Sequence, residues 1–209
     1  MRLRKFGHAC LLVEHADARL LLDPGIFSAG FEELTGLTGV LVTHQHVDHC
    51  DRDRLPALLG RNPAAVVHAD AATAGELADQ GFVTRAVRHG DVLDVGAPVQ
   101  VFSGDHAVIH PDIPVIPNFG YLVADRLFHP GDSFLQPDAD VQVLGLPTAA
   151  PWMKVAEAVD YLRAVHPQVA VPIHEALLTR PELHYGIFDK LAPTGTQVRV
   201  LDGGDPLEL

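Results

Sequence analysis

Cationic side chains are scarce in this chain: 15 Lys and Arg stand against 27 Asp and Glu, a net charge of −12 with histidines neutral. Nucleic-acid binding draws on phosphate neutralisation by Lys and Arg, and the only basic run is Arg2-Leu3-Arg4-Lys5. A nucleic-acid partner is therefore disfavoured, although bound divalent ions would offset some acid locally. Cysteine is scarcer still. Cys10 and Cys50 are the only two in 209 residues, too few for a secreted disulfide framework, so a reducing compartment is expected. Long apolar runs are also missing. None approaches the roughly 20 residues that cross a bilayer. Behind the basic N-terminus the apolar stretch stops at Val13, with no small-residue cleavage site after it, so it does not read as a signal peptide. A cytoplasmic protein with no membrane partner is the expectation. Nothing here speaks to oligomeric state.

What is present is an ordinary globular composition, 47% hydrophobic and 20% charged, in a chain long enough to bury one core. No low-complexity segment or Ser/Gly linker divides it, so residues 1–209 are expected to form a single domain. Strands are read at 3–13 and 18–23, as a hairpin ended by Asp23-Pro24-Gly25, then at 40–43 and 64–68. Further strands fall within 83–103 and 119–129, and at 141–144, 169–173 and 197–201. Helices are expected at 53–59, 71–80, 151–165 with Pro151 in the first turn, and partly over 176–191. Residues 104–118 read as a long loop with three prolines, of the kind that often carries function. This is an α/β composition, and propensity alone does not choose between a sandwich and an open sheet.

Histidine, by contrast, is concentrated. Thr43-His44-Gln45-His46-Val47-Asp48-His49 places three imidazoles and a carboxylate within six residues, directly after the apolar strand Val40-Leu41-Val42. Imidazole nitrogen and carboxylate oxygen suit a borderline divalent ion such as zinc. A tag or loose metal-binding tract would sit at a terminus and lack the interleaved Asp. Residues at i and i+2 of an extended chain face the same way, so His44 and His46 can grip one ion, while Asp48 and His49 follow as the chain turns. Elsewhere His8, His106, Asp132 and His174 each stand at or near the end of an apolar segment.

The motif from His44 to His49, with Asp23-Pro24-Gly25 before it and Gly131-Asp132-Ser133 and Ile173-His174 after it, resembles the metallo-β-lactamase-fold hydrolases, in the right order over almost the whole chain. Within them, Gly7-His8-Ala9-Cys10, His129-Pro130-Gly131-Asp132-Ser133 and Ala150-Pro151-Trp152-Met153 are similar to the small group that includes ascorbate-6-phosphate lactonase-like proteins. The resemblance implies a four-layer αββα sandwich with a dinuclear metal site at one edge of its two sheets. It implies His44, His46 and His106 as ligands of one ion, Asp48, His49 and His174 as ligands of the other, and Asp132 as the bridge, with Asp48 and Asp132 serving catalysis. Zinc is expected, with manganese or iron as alternatives. His110, four residues beyond His106 in the same loop, competes with it for the ligand role. Asp23 is read either as a turn residue or as the acceptor that sets a ligand imidazole's tautomer. His8 and His129 are read equally as site-lining or core histidines, His68 as a core histidine, and Cys50 as a metal ligand only against the family pattern. Asn118 and Tyr185 are pocket-shaping candidates, and Trp152 is expected to pack with its helix.

The expected reaction is hydrolysis of a small ester, lactone or related carbonyl compound by a metal-activated hydroxide. No serine nucleophile is called for, since Ser28, Ser103 and Ser133 lack the G-x-S-x-G context. A phosphodiesterase or nuclease of the ribonuclease Z type is the alternative, but this acidic chain has no basic arm to hold RNA. A non-catalytic metal-binding protein is a third reading, against which the complete ligand set argues. A flavodiiron-type oxidoreductase would want a carboxylate where His46 stands.

Overall fold

Leu20, Leu21 and Leu22 are consecutive, share one strand and are all fully buried. Side chains alternate across a strand, so such a run needs apolar cover on both faces. The computed structural model, which describes residues 1–201 and 206–209, supplies that cover with two stacked sheets and outer helices.

The first sheet contains β1 (Arg2–Lys5), β2 (Leu11–His15), β3 (Ala18–Leu22), β4 (Gly39–Leu41), β5 (Val66–Ala69) and β6 (Thr84–Ala86). The second contains β7 (Val92–Asp94), β8 (Pro98–Asp105), β9 (Pro117–Val123), β10 (Leu127–His129), β11 (Val143–Pro147), β12 (Val169–Ile173) and β13 (Gln197–Val198). A last short strand, β14 (Leu207–Glu208), adds to the first sheet. Each sheet has seven strands among the described residues, in the orders β14-β1-β2-β3-β4-β5-β6 and β13-β12-β11-β10-β9-β8-β7. The first is antiparallel through β3 and parallel from β3 to β6. The second is antiparallel from β7 to β10 and parallel from β10 to β13.

Three apolar clusters define four layers. The inter-sheet core joins Leu11, Val13, Leu20 and Leu22 to Val99, Tyr121, Val143 and Ile173. On the outer face of the first sheet, Leu12, Leu21 and Val67 pack on Leu55, Leu58 and Leu77 of α1 (Leu55–Arg61) and α2 (Ala71–Asp79). On the outer face of the second, Leu122, Leu144 and Ala170 pack on Val159, Leu162 and Phe188 of α3 (Val155–Val165) and α4 (Glu182–Leu191). The architecture is the expected αββα sandwich. Leu11 and Leu12 point into different clusters, which is the strand period expressed as layers.

Local readings needed two corrections. The segment 3–13 is two strands, because Gly7 (φ 94°) and His8 (φ 48°) turn the chain left-handed between them. The helix expected from residue 151 begins at Val155, because Lys154 is extended (φ −108°, ψ 151°) and its N–H is met by the Glu157 carboxylate at 2.6 Å. Residues 151–154 are thereby released from the helix.

Strands β1, β3, β4, β8, β10 and β12 are followed within three residues by His8, Asp23, His44 of the motif, His106, Asp132 and His174. Parallel neighbours align their carboxyl ends along one sheet edge, where ligands of α/β folds commonly bind. Cross-sheet bonds join the two edges. Phe119 N–H donates to Thr43 O at 2.9 Å, and His174 N–H to His8 O at 3.2 Å.

Candidate metal centre

The strand ends deliver two adjacent clusters. His44, His46 and His106 form one, and Asp48, His49 and His174, joined by His8, form the other; within each, the potential ligand atoms lie within 4.8 Å of one another. Asp132 stands between them. Its Oδ1 is 3.1 Å from His49 Nε2, and its Oδ2 is 3.3 Å from His106 Nε2 and 3.2 Å from His174 Nε2. All seven residues of the expected ligand set are thus brought together. His110 is not among them: its side chain is exposed and faces Asp112 at 3.7 Å.

Tautomers at the centre follow from what the other ring nitrogen touches. His49 Nδ1 is 2.7 Å from the Asp23 carboxylate, His106 Nδ1 is 2.7 Å from Ala107 O, and His174 Nδ1 is 2.7 Å from Ala149 O. Each partner can only accept, so each Nδ1 carries a proton and Nε2 is the nitrogen left to face an ion. For His44 the Nδ1 partner is Thr43 Oγ1 at 3.0 Å, whose own proton goes to Asp23 Oδ2 at 2.8 Å. The Nε2 atoms of His44, His49, His106 and His174 and Oδ1 of Asp132 are buried without a hydrogen-bond partner. Buried polar atoms are seldom left this way. A divalent cation needs a set of this kind, bare imidazole nitrogens and a carboxylate converging on one space with their outer nitrogens hydrogen-bonded, and the donor set therefore fits one.

Charge agrees with geometry. Burial alone would push the Asp132 carboxyl up, but His49, His106 and His174 hold it well below the usual carboxylate range. Asp48 likewise sits well below its ordinary value, because the imidazoles of His174 and His8 beside it outweigh its burial. Reciprocally, burial lowers His174 but Asp132 and Asp48 lift it to about 9, and Asp132 and Asp23 hold His49 well above its ordinary value despite burial. His44, deeply buried and beside His49, is driven down. The carboxylates thus draw positive charge into the centre, and an ion taking the Nε2 lone pairs would displace protons as it bound.

Backbone packing explains the glycines of the motifs. A Cβ on Gly25 would lie 1.7 Å from Asp48 O, so Asp23-Pro24-Gly25 is the floor on which the motif loop rests. Gly131 has φ +64°, and a Cβ there would meet Asn118 Oδ1 at 2.2 Å. The same Oδ1 accepts Asp132 N–H at 3.0 Å, while Asn118 Nδ2 donates to Pro130 O at 2.8 Å. His8, Asp23 and His174 have φ of 48°, 45° and 62°. Left-handed backbone is uncommon for residues with a side chain and gathers at functional sites.

Several sequence readings resolve here. Asp23 is an acceptor, taking Thr43 N–H at 2.8 Å as well as His49. His129 is a core histidine that accepts Gly131 N–H at Nδ1 and donates to Ala9 O from Nε2 at 3.0 Å. Cys50 is buried outside both clusters, its thiol pushed up to about 12 by burial. Trp152 is the correction: its indole N–H donates to Asp132 Oδ2 at 3.0 Å instead of packing within α3. The missed signal was Glu157, whose carboxylate accepts the Lys154 N–H and sets the helix start at Val155.

Residues 2–174 match the beta-lactamase superfamily domain. The chain belongs to that superfamily. Its superfamily relatives include Protein Rv0786c of Mycobacterium tuberculosis, 52% identical over 206 residues, covering 95% of this chain and 96% of the relative. Another is the UPF0173 metal-dependent hydrolase MJ1163 of Methanocaldococcus jannaschii, 26% identical over 220 residues and 98% of each chain. Among solved structures the fold is shared with Igni18, a metallo hydrolase from Ignicoccus hospitalis, at a TM-score of 0.75 and 19% identity over 100% of this chain and 98% of that one. Among the described residues of this superfamily member, no helix is long and apolar enough to cross a membrane.

Proposed function

We propose that this protein is a metal-dependent hydrolase with two divalent ions at one centre, acting on a small uncharged ester, lactone or related carbonyl compound. The observation that carries the reading is the convergence of buried Nε2 atoms, without hydrogen-bond partners, around Asp132. His44, His46 and His106 would hold one ion and Asp48, His49 and His174 the other, with Asp132 between the two clusters. Bound there, the ions supply Lewis acidity and lower the pKa of a water toward neutrality. The chain's own part is to fix geometry. Asp23, Ala107 O and Ala149 O orient the imidazoles, and Trp152 and Asn118 hold Asp132. The carboxylate of Asp48, partly exposed beside the space, would orient the attacking water.

The surroundings favour a neutral substrate over a phosphodiester. Lys5 is 2.6 Å from Glu175, Arg52 is 2.9 Å from Glu76, and Arg54 pairs with Asp51 and Glu32. These cations are already engaged, whereas phosphate recognition draws on free ones. Apolar side chains lie beside the clusters: His46 and His106 share a small cavity with Ile113, Pro114 and Val115, and exposed Phe27 packs edge-on against His8. Zinc suits the His-rich set, and manganese or iron would be accepted by the same ligands.

Metal content per chain, measured on protein purified without added metal, tests this together with a panel of lactones, esters and phosphodiesters. About two ions per chain, lost in part with His46→Ala, and turnover of lactones or esters are expected. Zero or one ion with no recovery on adding zinc or manganese would sink the two-ion centre. Turnover confined to phosphodiesters would overturn the substrate class.

A further inference from the structure

His8 lies inside the centre without belonging to the ligand set inferred above. It is buried, its ring centroid is 4.0 Å from that of His174, and its Nε2 is 3.4 Å from Asp48 Oδ2. Proximity alone would make it an eighth ligand. Its hydrogen bonds point the other way. Ala176 N–H donates to His8 Nδ1 at 3.3 Å, so Nδ1 is the bare nitrogen and the neutral ring carries its proton on Nε2. This is the reverse of His44, His49, His106 and His174, whose Nδ1 atoms donate. Those four have buried Nε2 atoms without hydrogen-bond partners, and His8 is not among them. His129 shows the same reversed pattern, with Nδ1 accepting from Gly131 N–H and Nε2 donating to Ala9 O.

We propose that His8 is a positioning residue: it donates its Nε2–H to Asp48 and keeps that carboxylate turned toward His49 and His174, without binding an ion itself. This rests on the two-ion reading above. The segment after β12 clamps His8 for the task. His174 N–H donates to His8 O at 3.2 Å, and Glu175 Oε1 accepts His8 N–H at 3.2 Å while lying 2.6 Å from buried Lys5 Nζ. The clamp holds His8 at a φ of 48°, a conformation that only the surrounding contacts justify. Asp48 needs such a hold, because its side chain is the most exposed of the cluster it belongs to, at 20% against 2% or less for His8, His49 and His174. Without a donor it can swing to water.

Two measurements test this on the full-length zinc-loaded protein. In nitrogen-15 NMR of the imidazoles, His8 is expected to show a protonated Nε2 and a bare Nδ1, neither displaced by zinc, whereas His174 shows the opposite tautomer with Nε2 shifted by the metal. In zinc titrations by calorimetry, His8→Asn, chosen because Asn tolerates a left-handed φ, should keep the wild-type number of ions but bind one of them about 10- to 100-fold more weakly. His8→Gln, whose amide N–H can reach toward Asp48, should recover most of that loss. Loss of a whole ion in His8→Asn, or a zinc-shifted Nε2 of His8, would make His8 a ligand and overturn the proposal. Wild-type affinity in a folded His8→Asn would overturn it as well. His174→Ala separates the two levels. If it sheds an ion while His8→Asn binds normally, only the role of His8 fails; if it changes nothing, the two-ion reading fails and takes this proposal with it.

Discussion

The indole N–H of Trp152 and Oδ2 of Asp132 are 3.0 Å apart, so the only tryptophan of the chain is hydrogen-bonded to the carboxylate at the middle of the centre. Its ring also packs on Phe134, with centroids 5.2 Å apart. Trp152→Phe keeps that packing and removes the donor. A hydrogen bond to a charged group contributes about 1.5–3 kcal/mol. Zinc affinity should therefore fall by at least about 10-fold, with little change in melting temperature. In the wild type, Trp152 fluorescence should change on zinc addition. Equal affinities in the two proteins would show that the bond does not hold Asp132 in place.

Asp23 accepts from His49 Nδ1, Thr43 N–H and Thr43 Oγ1–H at 2.7, 2.8 and 2.8 Å. Asp23→Asn replaces one acceptor oxygen with an N–H₂ group, which cannot serve all three donors. Misorienting one ligand imidazole in this way should cost about 10- to 100-fold in metal affinity. Metal retained per chain after dialysis against a graded chelator reads it out, and wild-type retention would refute the role given to Asp23.

Gly25→Ala places a Cβ within 1.7 Å of Asp48 O. No rotamer relieves a backbone overlap of that size, so the Asp23-Pro24-Gly25 turn and the motif loop must separate. A loss of roughly 3 kcal/mol or more is expected, a drop of about 6–12 °C in Tm for a chain of this size. Metal affinity should fall with it. Calorimetry of the metal-free protein isolates the folding part, and an unchanged Tm would mean the turn is not pinned as described.

His68 offers a pH test away from the proposed ligands. It is buried on β5 with both ring nitrogens unpartnered, and burial lowers it to about 4. A folded-state value depressed below that of the unfolded chain means the unfolded state binds more protons between about pH 6.5 and 4. Stability contributed by neutral His68 is thus present above about pH 6.5 and is lost as pH falls toward 4, at up to about 1 kcal/mol per unit. His68→Leu should melt with a flatter pH dependence than wild type across that window. Parallel curves would show that His68 is protonated as easily in the fold as outside it.

Much of the fold follows from patterns that act locally. Runs such as Leu20-Leu21-Leu22 require cover on both faces, and the turn at Asp23-Pro24-Gly25 ends β3 where the residues predict it. Boundaries were less legible. Pro151 reads as a helix start by its fixed φ, yet the helix begins at Val155 after extended Lys154, and Trp152, outside the helix, is hydrogen-bonded to Asp132 from another part of the chain.

The sequence by itself determined the concentrated donor set from His44 to His49, because three imidazoles and a carboxylate at that spacing carry their chemistry whatever surrounds them. It also marked His106, Asp132 and His174 as strand-end candidates. Only the tertiary structure decided between His106 and His110, since both lie on one loop and only the sheet edges show which imidazole faces Asp132. The same holds for the tautomers. Whether a ring nitrogen is bare or protonated depends on acceptors such as Asp23, Ala149 O and the Ala176 amide, which chain folding alone brings within hydrogen-bonding distance of His49, His174 and His8.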